Sequence, residues 1–178
     1  MDFTVTQRFP APTDDVLALY TDPEFFVSLP PSEKLATPEL VTHQRNGNSV
    51  NLQLRYRFIG QLPSAVLRFV EPTRLTWVED TTIDVMSASS SSALIPDNYP
   101  DLLRASASAT FASTSSGVST GTSNGAGGGP STTRTITGRV SVPVPIFGRK
   151  VEGAIVEGLT DYLHAEAAEA ARRLGATG

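Results

Sequence analysis

Residues 46–58 constrain the fold more than any other stretch. Asn46-Gly47 is the preferred centre of a two-residue type I′ turn, which needs residues that tolerate positive φ. The segment that follows alternates without a break: Val50, Leu52, Leu54, Tyr56 and Phe58 on one face, Asn51, Gln53, Arg55 and Arg57 on the other. Such a period of two marks a half-buried strand. A turn centred on Asn46-Gly47 pairs Arg45 with Asn48, so His43 faces Val50, Val41 faces Leu52 and Glu39 faces Leu54. Opposite residues share a face, which places His43 and Val41 on the apolar side. A hairpin with one dry face requires something to cover it.

The rest of the chain supplies strands and one large cover. Phe3, Val5, Gln7 and Phe9 alternate with polar residues in a first strand. Thr13 stands as N-cap of a short helix with Asp14 and Asp15 in its first turn and Val16, Leu19 and Tyr20 as its stripe. Asp22 caps a second short helix over Glu24–Leu29, with Pro23 at its first position. Strands are expected over Ser64–Val70 and Arg74–Val85; in the latter Leu75, Trp77, Glu79, Thr81, Ile83 and Val85 share a face. Ala105, Ala107, Ala109 and Phe111 define another strand, and Ile136, Val140, Val142 and Val144 the last, closed by Pro143 and Pro145. Val151, Ile155, Leu159, Tyr162, Glu166 and Leu174 then recur at helical spacing. A helix from Arg149 to Leu174 is about 39 Å long, with Gly175 as its stop.

Two stretches read as flexible polar connections. One is the Ser- and turn-rich segment 86–102; the other is 113–133, where Ser, Thr and Gly fill 17 of 21 positions and bury too little apolar surface to offset ordering. Both are candidate lids. They also explain why charged residues are only 18% of the chain: residues 86–133 hold just Asp97, Asp101 and Arg104. On this reading the chain is a single domain, 1–178, whose folded core is nearer to about 130–150 residues.

Several function classes are excluded. A net charge of −4 offers no basic footprint for nucleic acid. With no cysteine there is no disulfide, thiolate metal site or cysteine nucleophile. No apolar run approaches the roughly 20 residues of a membrane span, and the N-terminus lacks a signal-peptide pattern, so a cytoplasmic protein is expected. Two histidines, His43 and His164, without a metal-ligand spacing argue against a metal site. Gly125–Gly129 lacks the Lys-Ser/Thr of a phosphate loop, and no Gly-x-Ser-x-Gly elbow is present. No cofactor is implied.

Strand, two short helices, about six to seven strands and one long helix make an α+β chain in which a curved antiparallel sheet wraps the C-terminal helix. Phe9-Pro10-Ala11-Pro12, Val16 and Thr21-Asp22-Pro23 resemble the start of START-like proteins, the polyketide-cyclase-like or Bet v 1-like (SRPBCC) helix-grip superfamily. The run from Val140 to Glu152, with Leu62-Pro63 and Arg68-Phe69, is similar to a bacterial family of unknown function within it. The resemblance covers nearly the whole chain, and the stretches 86–94 and 113–133 look like expanded connections. It implies an apolar cavity for lipids, polyketides, hormones or similar ligands, and no single chemistry.

The leading expectation is therefore binding of a small hydrophobic molecule, such as a lipid, quinone or polyketide-like compound, between the sheet and the C-terminal helix. Candidate cavity residues are Leu52, Leu54, Tyr56, Trp77, Glu79, Ile155, Leu159 and Tyr162. Tyr56, Trp77 and Tyr162 each offer an aromatic body with one polar atom; ordinary core packing explains them equally well. Glu79 follows Trp77 on an apolar face, where an unpaired carboxylate is costly; either it meets a ligand or acts as an acid/base, or it lies near a strand end and reaches solvent. His43 is a cavity-mouth proton shuttle or a wet residue near the hairpin tip. His164 is expected to be exposed, and the acidic residues of the helix read as a solvated face. Two alternatives stand beside binding: an aromatase/cyclase-like enzyme using Glu79 or His43, and a filled-core module that docks a partner protein. A cavity above about 300 Å³ separates the first two from the third. The oligomeric state is left open.

Overall fold

In the computed structural model, residues 1–61, 64, 67, 68, 70–114, 129–143 and 148–176 are described. The element order is β1 (Asp2–Phe9), α1 (Thr13–Thr21), α2 (Pro23–Val27), β2 (Glu39–Asn46), β3 (Ser49–Arg57), β4 (Thr76–Asp84), β5 (Ser89–Pro96), β6 (Arg104–Thr114), β7 (Ser131–Ser141) and α3 (Gly148–Ala176). The strands form one antiparallel sheet in the order β1-β7-β6-β5-β4-β3-β2. With α3 packed chiefly against β1 and β7, this is the expected helix grip.

The first hairpin has a different register from the one expected. Gly47 and Asn48 form the turn, with Gly47 at φ +61°, and Asn46 closes it with Ser49. Gly47 takes the first central position, as in type II′ turns, where that residue needs the positive φ. His43 therefore faces Leu52 and Arg45 faces Val50. The slip is an even number of residues, so His43 keeps the inner face. A bulge between Leu40 and Thr42 then brings Leu40, not Glu39, opposite Leu54 and leaves Val41 out of the ladder.

Two more expectations change. β3 pairs directly with β4 from Ser49↔Asp84 to Arg57↔Thr76, so no slot is left between them for a strand over 64–70. Of that segment Ser64, Leu67 and Arg68 lie in turns, and Leu62, Pro63, Ala65, Val66 and Phe69 lie outside the described residues. Conversely, the Ser-rich stretch read as a connection contains β5, paired on both sides with β4 and β6. Full backbone pairing replaces the apolar side chains that usually signal a strand. The segment 115–128 and Val144–Phe147 lie outside the described residues.

Much of the serine and threonine thus belongs to the sheet. On its outer face Ser108 meets Thr137 at 3.2 Å and Thr114 meets Thr133 at 3.1 Å. The charge deficit therefore reflects a hydroxyl-bearing sheet face as well as connections.

Asp22 caps α2 as expected, accepting from the Glu24 N–H at 2.9 Å, with Pro23 at its first position. For α1 the cap residue is Pro12, and no side chain caps the helix. Thr13 instead turns its hydroxyl to that of Thr132, 3.2 Å away. The inward faces of β1, α1, α2 and β6 meet in an aromatic cluster, in which Tyr20 touches Phe9, Phe25, Phe26 and Phe111 with ring centroids 5.4–6.1 Å apart. α3 starts at a glycine because a Cβ on Gly148 would collide with the Val142 carbonyl oxygen. It continues through Gly175 to Ala176, past the expected stop. No helix among the described residues is long and apolar enough to cross a membrane.

Candidate functional site

In the middle of β5 and β6 the inward-facing residues are small, Ser90 and Ser92 on β5 and Ala107 and Ala109 on β6, with the larger Leu94 and Phe111 beyond them. The small residues hollow the middle of the sheet under α3. Leu52 and Leu54 of β3 and Glu79, Thr81 and Ile83 of β4 form one wall of the resulting cavity. Leu159, Tyr162, Leu163 and Glu166 of α3 roof it, while Tyr20, Phe26, Phe111 and Arg134 close the other side. Its volume is about 60 Å³, well short of the roughly 300 Å³ of typical ligand pockets. The large aromatic side chains fill most of the space that the small strand residues leave.

The walls carry an internal polar cluster. Arg134 Nη1 donates to Glu166 Oε1 at 2.8 Å and to Gln7 Oε1 at 3.2 Å. Gln7 Nε2 in turn donates to the Leu163 carbonyl at 2.7 Å, tying β1 to α3. The Arg134 guanidinium carbon lies 4.3 Å from the Tyr20 ring centroid and 5.4 Å from that of Phe111. Burial works against its charge, and the Glu166 carboxylate beside it offsets that. Tyr20 Oη and Arg134 Nε are shielded from solvent and make no well-formed hydrogen bond among the described residues, although the Tyr20 hydroxyl lies close enough to Arg134 and Glu166 to interact with both.

Glu79 lies across the cavity. Thr81 Oγ1 approaches it at 3.5 Å and pairs with Ser92 Oγ at 2.8 Å, and no ion pair reaches Glu79 among the described residues. Burial, reinforced by the Glu166 charge, pushes its carboxyl above the usual carboxylate range; Arg134, Tyr56 and Thr81 oppose this in part. Beside it the hydroxyls of Tyr56 and Tyr162 meet at 3.2 Å. Burial is the leading cause that raises both phenols above their ordinary range. Two carboxyls and one guanidinium therefore share the interior, and the raised Glu79 is the group placed to hold a proton.

Of the residues singled out from sequence, Leu52, Leu54, Glu79, Leu159 and Tyr162 come together on the cavity wall. Tyr56 and Trp77 stand behind it: their rings stack at 5.8 Å with an interplanar angle of 11°, and Tyr56 reaches the wall through Tyr162. Ile155, half-buried on α3, does not line the cavity. His43 shares the inner face but is exposed on edge strand β2, away from the lining, and His164 is exposed on α3. Glu166 corrects the reading of the helix acids as solvated, being 5% exposed. Arg134 was missed, although it lies two residues before Ile136 and so on the same strand face. No group of three or more metal-ligating side chains is found among the described residues.

The sheet wrapped around a terminal helix, with a cavity between them, defines the helix-grip class of START-like and Bet v 1-like proteins. The chain belongs to the family described as "Protein of unknown function (DUF2505)", whose profile matches residues 4–174. No curated protein matches it significantly. Among solved structures it is similar to TTHA0849 from Thermus thermophilus, with TM-score 0.62 and 15% identity over 100% of this chain and 99% of that one. It is also similar to norcoclaurine synthase from Thalictrum flavum in complex with dopamine and hydroxybenzaldehyde (TM-score 0.58, 16% identity, 98% and 86% covered). A third is the di-domain ARO/CYC BexL of the BE-7585A biosynthetic pathway (TM-score 0.55, 13% identity, 97% of this chain and 49% of that one). At these identities the likeness is one of fold.

Proposed function

We propose that this protein binds a small molecule with an apolar body in the cavity between the sheet and α3, the candidates being lipid-, quinone- or polyketide-like compounds. The observation that carries this is the internal polar cluster. A core filled only for stability is built more cheaply from apolar side chains than from Arg134, Glu166 and Glu79 buried around one cavity. Apolar walls with a few convergent polar groups are the usual make-up of a ligand site. Norcoclaurine synthase, of the same fold, holds dopamine and hydroxybenzaldehyde, which is consistent with this use of the grip.

The small closed volume sets a condition. A ligand above a few heavy atoms needs the roof to move, and α3 has a pliable half. Residues 149–160 include none that is fully buried, whereas Leu163, Glu166 and Ala170 are. That half also contains Gly153 and Gly158, each weakening a helix by about 1 kcal/mol relative to alanine. The volume itself favours the second reading, a filled-core module. An enzymatic role, with Glu79 as acid/base, ranks below binding because the hydroxyls nearest to it, Thr81 and Ser92, are paired with each other. A cytoplasmic setting belongs to the same proposal.

Native mass spectrometry of the purified protein, followed by solvent extraction, tests the reading. A released apolar compound, lost in a Leu159→Trp variant that fills the cavity, is the expected result. No adduct, together with a blank ligand screen, overturns it in favour of the filled core.

A further inference from the structure

Among the described residues, the charged side chains on the cavity wall are Glu79, Arg134 and Glu166. Arg134 and Glu166 are joined at 2.8 Å, so their charges cancel. Glu79 is left over, with no cation within ion-pair distance among the described residues. Whenever Glu79 is ionised, the wall therefore carries one negative charge in excess. Away from bulk water such an imbalance is felt over several ångströms, because opposite charges attract strongly in a low dielectric.

The acid is also open to the cavity. It sits in the middle of β4, opposite Leu54 of β3 and Leu94 of β5 on the inner face. It is nevertheless only half-buried, and the surface it keeps is turned to the cavity it lines. Oε1 meets Thr81 Oγ1 at a long 3.5 Å. Oε2 makes no well-formed hydrogen bond among the described residues, yet it is not sealed from solvent as Tyr20 Oη and Arg134 Nε are.

The neighbours suit a carboxylate. Hydroxyl pairs flank it, Thr81 with Ser92 at 2.8 Å and Tyr56 with Tyr162 at 3.2 Å. Thr81 and Tyr56 both act on Glu79 as donors, which favours its charged form. Burial and the Glu166 charge oppose that form, and Arg134 compensates in part. The titratable groups around Glu79 are thus Tyr56 from β3, Tyr162 and Glu166 from α3 and Arg134 from β7, while β5 brings only Ser92 and Leu94. Tyr162 also sets an aromatic ring in the roof, and such rings attract cations.

Resting on the binding role proposed above, we infer that the ligand is an organic cation, an ammonium on a small apolar body, with the ammonium paired to Glu79 and the body against Leu52, Leu54 and Leu159. An anion is repelled by both acids, and Arg134 has no charge to spare for it. A neutral polar end leaves Glu79 either charged and unpaired or protonated. Without ligand Glu79 holds a proton, which the ammonium displaces to solvent. Binding therefore releases a proton and tightens as pH rises.

Isobutylammonium, isobutanol and isovalerate share one apolar body and differ in charge. Each of them, and potassium chloride alone, is titrated at neutral pH and constant ionic strength while methyl and glutamate carboxyl carbons are followed by nuclear magnetic resonance. Isobutylammonium is expected to bind at least about tenfold more tightly than isobutanol, as a charge-assisted hydrogen bond exceeds a neutral one. It should also move the Glu79 carboxyl carbon to its ionised position. Glu79→Gln keeps the shape and removes the charge, so it should erase the ammonium preference and leave isobutanol binding unchanged; cooperative unfolding verifies its fold. In the unaltered protein the ammonium affinity should rise with pH, with isobutanol little affected.

The inference is overturned, with the cavity kept as a binding site, by any of four results. Isobutanol or isovalerate binds as tightly as the ammonium; the ammonium preference survives Glu79→Gln; its affinity stays flat while the Glu79 carbon titrates in the free protein; or potassium moves that carbon as far. If no probe shifts any cavity resonance, the binding role falls as well.

Discussion

Tyr56 and Tyr162 meet hydroxyl to hydroxyl at 3.2 Å, their rings edge-on at 88°. The contact joins the C-terminal end of β3 to the middle of α3 across 106 residues of chain, and it is a direct polar clamp between the β3–β4 side of the sheet and its cover. Tyr162→Phe should cost about 1 kcal/mol, the net worth of one hydrogen bond. Tyr162→Ala should cost about 3–5 kcal/mol because it also opens a void. Urea unfolding of the two variants separates the contributions; equal losses would mean that the hydroxyl, not the ring, is the clamp.

Glu79 should make stability fall with rising pH. Its carboxyl takes up protons more readily folded than unfolded, so between the ordinary carboxylate range and its raised folded value the native state holds the extra proton. Stability therefore drops as pH climbs through that window, because the unfolded state ionises first. Glu79→Gln mimics the protonated form. Its melting temperature should exceed that of the parent at pH 8 and match it near pH 4.

Arg134 and Glu166 should be costly to separate and cheap to replace together. Their side chains are 14% and 4% exposed. Glu166→Ala strands a buried guanidinium and should cost about 3–5 kcal/mol, whereas the double change Arg134→Met with Glu166→Leu should recover most of it. A denaturant-based double-mutant cycle reads the coupling directly. If the double variant stays as unstable as the single, Gln7, which shares the network, is the member that matters.

Gly138 should tolerate no side chain. A Cβ there lies 2.5 Å from Phe3 Cζ and 2.8 Å from the Ser106 carbonyl oxygen. Gly138→Ala should cost about 1–3 kcal/mol, as overpacking does. Adding Phe3→Leu should relieve only part of the loss, since the backbone of β6 remains in place. Full rescue in thermal melts would contradict this placement.

Gly158 is the opposite case. A Cβ there meets Lys34 Cδ at an ordinary 3.4 Å, at the movable end of a side chain whose ammonium lies 3.8 Å from Asp161. Gly158→Ala should stabilise the protein by about 1 kcal/mol through helix propensity. If the pliable half of α3 is the door to the cavity, the same change should slow uptake of a ligand in stopped-flow while leaving the equilibrium endpoint unchanged.

The grip was legible because its parts have strong periods. Val50 to Tyr56 and Leu75 to Ile83 alternate at two, Val151 to Leu174 at the spacing of a helix, and those elements alone dictate a sheet with one long cover. β5 was not legible, since Ser89–Ser92 carry none of the branched or aromatic residues that mark strands. Its role in the hollow of the sheet is why those residues are small. The site was half legible. Leu52, Leu54, Glu79, Leu159 and Tyr162 sit on faces that periodicity assigns. Arg134 and Glu166 share such faces too, but a lone charge on an apolar stripe reads as solvated unless its partner is known, and 32 residues separate the pair. The hairpin register failed by one turn position because Gly47 can supply the positive φ either as the second residue of an Asn46-Gly47 turn or as the first of a Gly47-Asn48 turn.

The bulge between Leu40 and Thr42 has a further consequence, outside the cavity. β2 ends the sheet, with Leu40 45% and Val41 40% exposed, and a straight edge of that kind is a template on which a second copy could add a strand. The bulge breaks the regular spacing of donors and acceptors at that point and twists the edge, so a foreign strand can pair with only part of it. A single extra residue in β2 thus makes this edge of the sheet a poorer template for an added strand.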